Sequence, residues 1–224
     1  MLQLTSVTTK FRQTPVDESR TIDALLAGDE EAFRALIDLH GGSMLRVALL
    51  YAPSRAVAEE IVQETWLSML GALGAFERRS SLKTWLFTIL VNCAKRRAER
   101  EGRSAPFSSL AVDVDNDSDT ESGEFFDASH PRWAHCWTTV VQTWETIPGD
   151  GLLADELQRR LAAAVRALPE SQRLVFTLHD VEGLSSEEVC NTLALSGSNQ
   201  RVLLHRARLK VRSALKQYIE ENDT

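Results

Sequence analysis

Apolar residues recur every three or four positions along most of the chain, and almost no stretch alternates with the period of two that marks a strand. This pattern predicts an all-helical fold. Across residues 22–51 the apolar positions fit two amphipathic helices, with a break at Gly41-Gly42. A third helix is expected to begin after Pro53-Ser54 and to end near Gly71 or Gly74.

A fourth helix is predicted by the stretch SSLKTWLFTILVNCAKRRAERE. Ser80 or Ser81 would cap its amino terminus, because a hydroxyl there can accept a hydrogen bond from a free backbone N–H. Basic residues gather in its last turns, where cations interact favourably with the helix dipole.

The helical period returns after residue 151 and ends in a recognisable motif. Ser185 with Glu188 predicts a capping box at the start of a helix that runs to about Leu195. A turn at Ser196-Gly197-Ser198 then leads into the last helix. A short helix, a glycine-containing turn and a longer helix are typical of a helix-turn-helix motif.

Between the two helical regions the composition changes. The stretch SSLAVDVDNDSDTESGEFFD contains seven carboxylates and no basic residue, so it cannot bury enough surface to order itself alone. The residues that follow it carry three of the five tryptophans. We therefore expect a tail at 1–20, a helical domain at 21–101, a long acidic linker at 102–151 and a second helical domain at 152–224.

Composition excludes several classes of protein. The 224-residue chain contains no apolar run near the roughly 20 residues that a membrane span needs, and no signal pattern at its start, so we expect a cytoplasmic protein without membrane contact. Its three cysteines are odd in number and widely spaced, which argues against a disulfide framework and against a zinc site. We expect no metal and no cofactor.

Charge is distributed unevenly. The net charge is −7, yet residues 189–219 contain no Asp or Glu. On the last helix an apolar side is opposed by a basic side, from which Arg201 and Arg208 are both expected to project. Cations without carboxylate partners favour duplex DNA as the ligand. Asn, Gln and Arg at the start of this helix can pair with base edges in the major groove.

A second predicted nucleic-acid surface lies in AFERRSSLKT, at residues 75–84. It combines cations, hydroxyls and aromatic rings, with Trp85 and Phe87 just inside the next helix. Such a set can hold a base out of its stack. Taken alone the serines could equally be caps, and Trp85 and Phe87 are more often core residues.

Several independent motifs, in order, resemble the bacterial RNA polymerase sigma factors of the extracytoplasmic-function (ECF) group. The first domain of that family is similar to GDEEAFRALIDLHGGSMLRVALLY, AEEIVQETWLSML and FERRSSLKTWLFTILVNCAKRR. Its second domain is similar to LPESQRLVFTLHDVEGLSSEEVCNTLALSGSNQRVLLHRARLKVRSAL. The resemblance covers most of the chain outside the tail and the linker.

The resemblance implies a two-domain factor with three binding surfaces. The surface for core RNA polymerase would comprise Glu60, Ile61, Gln63, Glu64, Trp66 and Leu67. The surface for the −10 promoter element would comprise Phe76, Arg78, Arg79, Ser80, Ser81, Lys83, Asn92, Lys95, Arg96 and Arg97. The surface for the −35 element would comprise Ser198, Asn199, Gln200, Arg201, His205, Arg206, Arg208 and Arg212.

The implied partners are promoter DNA, an anti-sigma factor, and the clamp helices of the largest subunit and the flap region of core polymerase. The acidic linker would pass through the polymerase cleft. One alternative is a stand-alone helix-turn-helix regulator that binds an operator as a dimer. A second is an enzyme using His130, His135 and Cys136, which lack an orienting carboxylate, so we expect no catalytic activity.

Overall fold

The computed structural model describes residues 15–102 and 151–222, and the α-helices within these ranges number eight. They are α1 Pro15–Leu26, α2 Glu30–Ala48, α3 Arg55–Ala72, α4 Leu82–Arg100, α5 Gly151–Ala167, α6 Glu170–Phe176, α7 Ser186–Leu193 and α8 Gly197–Asn222. The all-helical prediction is confirmed. The tail before residue 15 and the linker, except for its first and last residues, lie outside the described ranges.

Two compact units are present. In the described part of the chain, residues 15–102 and 178–197 form the first unit, which therefore contains α1 to α4 and α7. Residues 151–177 and 198–222 form the second, which contains α5, α6 and α8. The segment 178–197 therefore packs with the amino-terminal helices, although it follows the linker in the sequence.

The break predicted at Gly41-Gly42 is wrong, because α2 runs through both glycines without interruption. The chain instead turns at Gly28, whose φ of 79° suits a residue without a Cβ. Asp29 then caps α2, its carboxylate accepting hydrogen bonds from the backbone N–H of Glu31 at 2.8 Å and of Ala32 at 3.2 Å. Glycine inside a helix destabilises it by only about 1 kcal/mol, and the cap at the start of α2 stabilises the helix by a similar amount.

The starts of α3 and α4 lie where the sequence predicted them. The Ser54 hydroxyl accepts from Val57 N at 3.3 Å at the start of α3, and a short 3₁₀ turn follows that helix at Leu73–Ala75. The Ser81 hydroxyl accepts from Thr84 N at 3.1 Å and so caps α4. Hydroxyl caps are local in sequence, which is why the pattern alone located them.

The capping box at α7 is confirmed by both of its hydrogen bonds, from Glu188 N to the Ser185 hydroxyl and from Ser185 N to the Glu188 carboxylate. The predicted end of this helix and the predicted turn are each displaced. The helix ends at Leu193, and Ala194 adopts the left-handed conformation, with φ 59° and ψ 46°. Gly197 is the first residue of α8 and not part of the turn.

Each unit buries its own apolar set. Met44, Leu86 and Leu90 are fully buried in the first unit. In the second unit Leu174 and Ala207 are fully buried. Removal of this apolar surface from water is the main force that holds the helices together.

Candidate nucleic-acid and polymerase interfaces

The residues predicted to bind polymerase lie on α3, but they do not all reach its surface. Leu67 is 72% exposed, and Gln63 is also exposed. Ile61 and Trp66 are buried, and the Trp66 ring packs edge to face with Phe33 at 5.7 Å between centroids. The buried pair holds α3 in place, whereas the exposed residues are available to a partner.

The two glutamates of this surface are bound to the end of α4. The Arg97 guanidinium donates to Glu60 at 2.8 Å, and Arg100 donates to Glu64 at 3.4 Å. Hydrogen bonds to Glu101 and then to Glu60 raise the pKa of Arg97 above its ordinary value. Arg97, predicted to face DNA, therefore links α4 to the carboxylates of α3.

The loop between α3 and α4 brings together five of the ten residues predicted for the −10 surface. The rings of Phe76 and Trp85 stack with centroids 4.5 Å apart and planes 25° apart. Arg78 has a φ of 56°, which is rare outside glycine, and its guanidinium is ion-paired with Asp23 of α1. Arg79 pairs with Glu77. The loop thus presents an aromatic platform beside two arginines.

Carboxylates from elsewhere in the first unit contact the same end of α4. Glu18 of α1 accepts from the backbone N–H of Leu82. Glu188 of α7 accepts from the Thr84 hydroxyl and, at 3.5 Å, from the Ser81 hydroxyl. A helix amino terminus has unsatisfied N–H groups and a positive dipole end, so it attracts anions of either kind, carboxylate or phosphate.

Lys83 lies in the middle of this region. Its ammonium donates to the backbone carbonyl of Glu182 and lies 5.8 Å from the centroid of the Phe87 ring. Phe87 is fully buried, so it is a core residue.

His40 of α2 is also buried. Burial, together with the nearby charge of Lys83, lowers the pKa of His40 to about 4. The imidazole is therefore neutral at physiological pH.

Further along α4, some of the predicted −10 residues are exposed and others are partly buried. Asn92 and Arg96 are exposed, whereas Lys95 is half-buried and donates to the backbone carbonyl of Leu193 at 3.5 Å. Burial, opposed in part by Glu99, lowers the pKa of Lys95. Only part of the predicted set is therefore open to a nucleic acid in this structure.

The residues predicted to read the −35 element lie at the start and along one side of α8. Ser198 and Arg201 are exposed, and the partly exposed members are Asn199, His205, Arg206 and Arg212. Gln200 is fully buried with no hydrogen-bond partner for either amide atom, and Arg208 is only 6% exposed. The expectation that Arg208 projects from the basic side is therefore wrong, because it lies at the edge of the buried face.

Three further expectations concern a metal site, a catalytic site and a membrane-spanning helix, and the structure tests them only in its described residues. Among the described residues, no group of three or more His, Cys, Asp or Glu side chains is arranged to hold a metal ion. The candidate enzyme residues His130, His135 and Cys136 lie outside these ranges. None of the helices in 15–102 and 151–222 is both long and apolar enough to cross a bilayer.

Sequence reasoning missed the contacts of Glu18 and Glu188 with the start of α4. It also missed the ion pair of Asp23 with Arg78 in the loop before that helix. Glu188 did carry a signal, since it was identified as a capping-box residue. A capping box is predicted from neighbouring positions of the sequence. The hydrogen bond from Thr84 to the same carboxylate joins residues 104 positions apart, so the sequence pattern does not indicate it.

Both helical regions match the models of known protein families. Residues 36–104 match the model of Sigma-70 region 2, and residues 158–211 match the model of Sigma-70, region 4. A probable RNA polymerase sigma factor from Haemophilus influenzae is 31% identical over 77% of this chain and 84% of its own length. The RNA polymerase sigma-H factor of Pseudomonas aeruginosa is 26% identical over 93% of this chain and 98% of its own.

An ECF RNA polymerase sigma-E factor from Salmonella typhimurium is 27% identical over 84% of this chain and 88% of its own length. Two solved structures share the fold. CnrH in complex with the cytosolic domain of CnrY gives a TM-score of 0.53 at 20% identity, covering 89% of this chain and 97% of that chain. The sigma factor RpoE in complex with the anti-sigma factor NepR from Bartonella quintana gives 0.51 at 21%, covering 82% and 96%. With both conserved regions present in order, this chain belongs to the sigma-70 family of RNA polymerase sigma factors, in its ECF group.

Proposed function

We propose that this chain binds core RNA polymerase, recognises the −10 and −35 promoter elements and directs transcription of a specific set of genes. The observation that carries the proposal is the presence of both Sigma-70 regions on one chain, matched over 36–104 and 158–211. A factor that reads two separated elements needs both regions. It acts by binding and positioning, without a catalytic site of its own.

The polymerase-binding surface is the exposed side of α3, where Gln63 and Leu67 face solvent. Glu60 and Glu64 border it and are held by Arg97 and Arg100. An exposed leucine beside oriented carboxylates offers apolar contact and charge complementarity to the clamp helices of the largest subunit. The flap region is the proposed contact of the second Sigma-70 region.

The −10 surface is the loop from Phe76 to Lys83. The Phe76–Trp85 stack supplies a flat apolar platform for an unstacked base, and Arg78 and Arg79 supply charge for the backbone. The half-exposed state of both rings leaves part of that platform open to a ligand. Sequence preference at this element arises from the base that fits this loop.

The −35 surface is the solvent side of α8, led by Ser198 and Arg201. Both are exposed at the first turns of the helix, where a recognition helix meets base edges in the major groove. His205, Arg206 and Arg212 continue this side with partial exposure. Arg208 supports the helix from its buried edge.

An anti-sigma factor is a further proposed partner. Two of the solved structures that share this fold are complexes, one of CnrH with the cytosolic domain of CnrY and one of RpoE with the anti-sigma factor NepR. Such a partner would compete with polymerase for the exposed side of α3.

We place the protein in the cytoplasm, where polymerase and promoters are found. We place the acidic linker in the polymerase cleft, where its carboxylates would resemble the negative charge of a transcript.

Run-off transcription tests the proposal directly. The purified chain is added to core polymerase on a library of promoter fragments, and the transcribed templates are sequenced. We expect enrichment of templates that share two short elements at a constant spacing. Transcription that does not depend on the chain, or enrichment without a shared pair of elements, would refute the function.

A stand-alone operator-binding regulator is the alternative. It would dimerise and bind duplex DNA without polymerase. Gel filtration and duplex binding with and without core polymerase distinguish the two, because a sigma factor requires core for specific binding. The region 2 match over 36–104 favours the sigma factor.

A further inference from the structure

Helix α1 lies before residues 36–104, the part of the chain that matches Sigma-70 region 2. It nevertheless belongs to the same compact unit, where Ile22 and Leu25 are buried with 3% and 6% of their surface exposed. Removal of these side chains from water anchors the helix. Two polar residues of α1 contact either the −10 loop, which we define as residues 76–81, or the start of α4 that follows it.

The first contact is made by Asp23, whose carboxylate is ion-paired with the Arg78 guanidinium in the −10 loop. Arg78 has a φ of 56°, in the left-handed region that a residue with a Cβ adopts only at a cost in free energy. A residue stays in that region where surrounding contacts hold it. The ion pair with Asp23 is such a contact, and it joins the loop to a helix that is itself anchored.

The second contact is made by Glu18, whose carboxylate accepts from the backbone N–H of Leu82, the first residue of α4. In the same turn the Ser81 hydroxyl accepts from Thr84 N at 3.1 Å. Backbone N–H groups in the first turn of a helix have no partner within the helix. Glu18 therefore adds a second acceptor to the Ser81 cap, and it fixes the end of the −10 loop.

Both ends of the segment 78–82 are thus held by α1. The rings of Phe76 and Trp85, stacked with centroids 4.5 Å apart, join the residues on either side of that segment. A loop whose ends are fixed before DNA arrives loses less conformational freedom when it binds. Fixed ends also favour one geometry for the bound base, which is what discrimination among bases requires.

The pair of Asp23 with Arg78 is exposed to solvent, with 65% and 41% of the two side chains accessible. Exposed ion pairs contribute little to the free energy of unfolding. The effect of this pair is therefore expected on the position of the loop and not on folding. A guanidinium has five N–H donors, so a carboxylate on one side leaves donors for a phosphate on another.

We propose that α1 is part of the promoter-reading surface, because Asp23 and Glu18 position the −10 loop for a base of the −10 element. Asp23 acts by holding Arg78, and Glu18 acts by holding the start of α4. Both act through the loop, so they are positioning residues. The inference rests on the proposed function, in which this loop binds the −10 element.

Hydrogen exchange in the free chain measures whether α1 holds the loop. Exchange of the backbone amides in residues 76–84 is followed by mass spectrometry for the parent, Glu18→Ala and Asp23→Ala. We expect exchange at least about threefold faster in each variant, because the contacts that protect these amides are lost. Asp38→Ala is the matched control, since Asp38 is an exposed carboxylate on α2, and it should exchange as the parent does. Unchanged exchange in both α1 variants would overturn the inference.

DNA binding by the complex with core polymerase tests the consequence for recognition. The probe is a fluorescein-labelled single strand with the −10 element recovered in the run-off selection, and a second strand has that element scrambled. Asp23→Ala should bind the first strand about three- to tenfold more weakly and prefer it less over the second, with core affinity and urea midpoint unchanged. Asp23→Glu, which keeps the carboxylate, should restore most of the affinity, and Asp38→Ala should bind as the parent does.

A different role for Asp23, competition with a phosphate for Arg78, predicts the opposite sign. Tighter binding of the −10 strand by Asp23→Ala would therefore overturn positioning. Parental affinity and preference in Asp23→Ala would overturn it as well.

Arg78→Ala shows whether Asp23 acts through Arg78. When Asp23→Ala is added to Arg78→Ala, the affinity for the −10 strand should change by less than about twofold, because the two residues then no longer interact. An equal loss from Asp23→Ala in the parent and in Arg78→Ala would overturn the role assigned to Asp23.

The two proposals fail in different ways. If the parent in complex with core polymerase does not prefer the −10 strand to the scrambled strand, the proposed function is wrong at that element. If it does, and Glu18→Ala and Asp23→Ala behave as the parent, only the further inference is wrong. Hydrogen exchange needs no promoter, so it tests the contacts of α1 independently of DNA recognition.

Discussion

Arg201 and Arg208 lie on α8 seven residues apart, yet one is exposed and the other is 6% exposed. Helical periodicity places both near the basic side, but Arg208 falls next to the apolar row that contains Leu204 and Val211. A long side chain at such an edge packs its methylene groups against the core. The two arginines are therefore expected to have different roles.

Substitution of each arginine by alanine separates these roles. Arg201→Ala should lower promoter-dependent transcription roughly five- to hundredfold, the range for loss of a base or phosphate contact, with an unchanged urea midpoint. Arg208→Ala should reduce the free energy of unfolding by about 1–3 kcal/mol, because the packing of a buried side chain is lost. Equal urea midpoints for the two variants would contradict this assignment.

His40 makes the free energy of unfolding depend on pH. Its pKa is about 4 in the folded chain, mainly because it is buried, against an ordinary value of 6.5. The unfolded chain therefore binds more protons between pH 6.5 and 4, so stability falls as pH decreases through that window and is fully present above it. Between pH 7 and pH 5 the loss from this one group is about 2 kcal/mol.

His40→Gln tests that term, because glutamine is polar and of similar size but does not titrate. The free energy of unfolding is measured with urea at pH 7 and at pH 5 for the parent and for His40→Gln. The decrease from pH 7 to pH 5 should be about 2 kcal/mol smaller in His40→Gln than in the parent. Asp38→Asn serves as the control, since Asp38 is exposed on the same helix. An unchanged pH dependence in His40→Gln would show that His40 is not the responsible group.

At the scale of single elements, α3 has two different sides. Trp66 and Ile61 anchor it in the first unit, whereas Gln63 and Leu67 face solvent. Glu64 lies between them, with its carboxylate turned towards Arg100. A helix with its buried side fixed can present its other side to a partner with little ordering cost.

Replacement of Gln63 and Glu64 by alanine should weaken binding to core polymerase by about tenfold, since two polar contacts at an interface are lost. The far-ultraviolet circular dichroism and the urea midpoint should change little, because neither side chain is buried. Glu59→Ala is the matched control, as its carboxylate pairs only locally with Arg55 at 2.8 Å in an exposed position. Retained core affinity in the double variant would remove α3 from the interface.

The sequence predicted those elements whose cause is local. The hydroxyl caps at Ser54, Ser81 and Ser185 depend on residues within one helical turn. The sequence predicted a helix start after Ser54, a cap at Ser80 or Ser81, and the capping box at Ser185. The break at Gly28 was not predicted, because two adjacent glycines later in the chain suggested a stronger interruption. In the structure the Asp29 cap determines where α2 begins.

Burial at the edges of helices was not predictable from the pattern alone. Gln200 and Arg208 are polar residues on the border of an apolar row, and whether a border position is buried depends on the helices that pack there. The contacts of Glu188 and Glu182 with α4 and α2 join parts of the chain that lie on either side of the linker. No periodicity within one helix carries that information.

For the whole molecule, the distribution of charge explains more than its sum of −7. Asp23 of α1 is ion-paired with Arg78 in the basic loop before α4, and Glu188 of α7 accepts from Ser81 at the end of that loop and from Thr84 in α4. The same loop is proposed to bind DNA, so carboxylates of the chain itself lie beside the groups that would contact phosphates.

Glu188→Gln tests how strongly α7 is held against α4. Glutamine preserves the acceptor for Ser185 and hence the capping box, but it removes the charge that strengthens the hydrogen bonds from Thr84 and Ser81. The free energy of unfolding should therefore fall by about 1 kcal/mol, which urea unfolding measures. Glu187→Gln, an exposed neighbour in the same first turn, should unfold as the parent does. Equal urea midpoints for the two variants would mean that the Glu188 charge does not stabilise the contact between α7 and α4, because a charged hydrogen bond that holds two helices together must cost stability when its charge is removed.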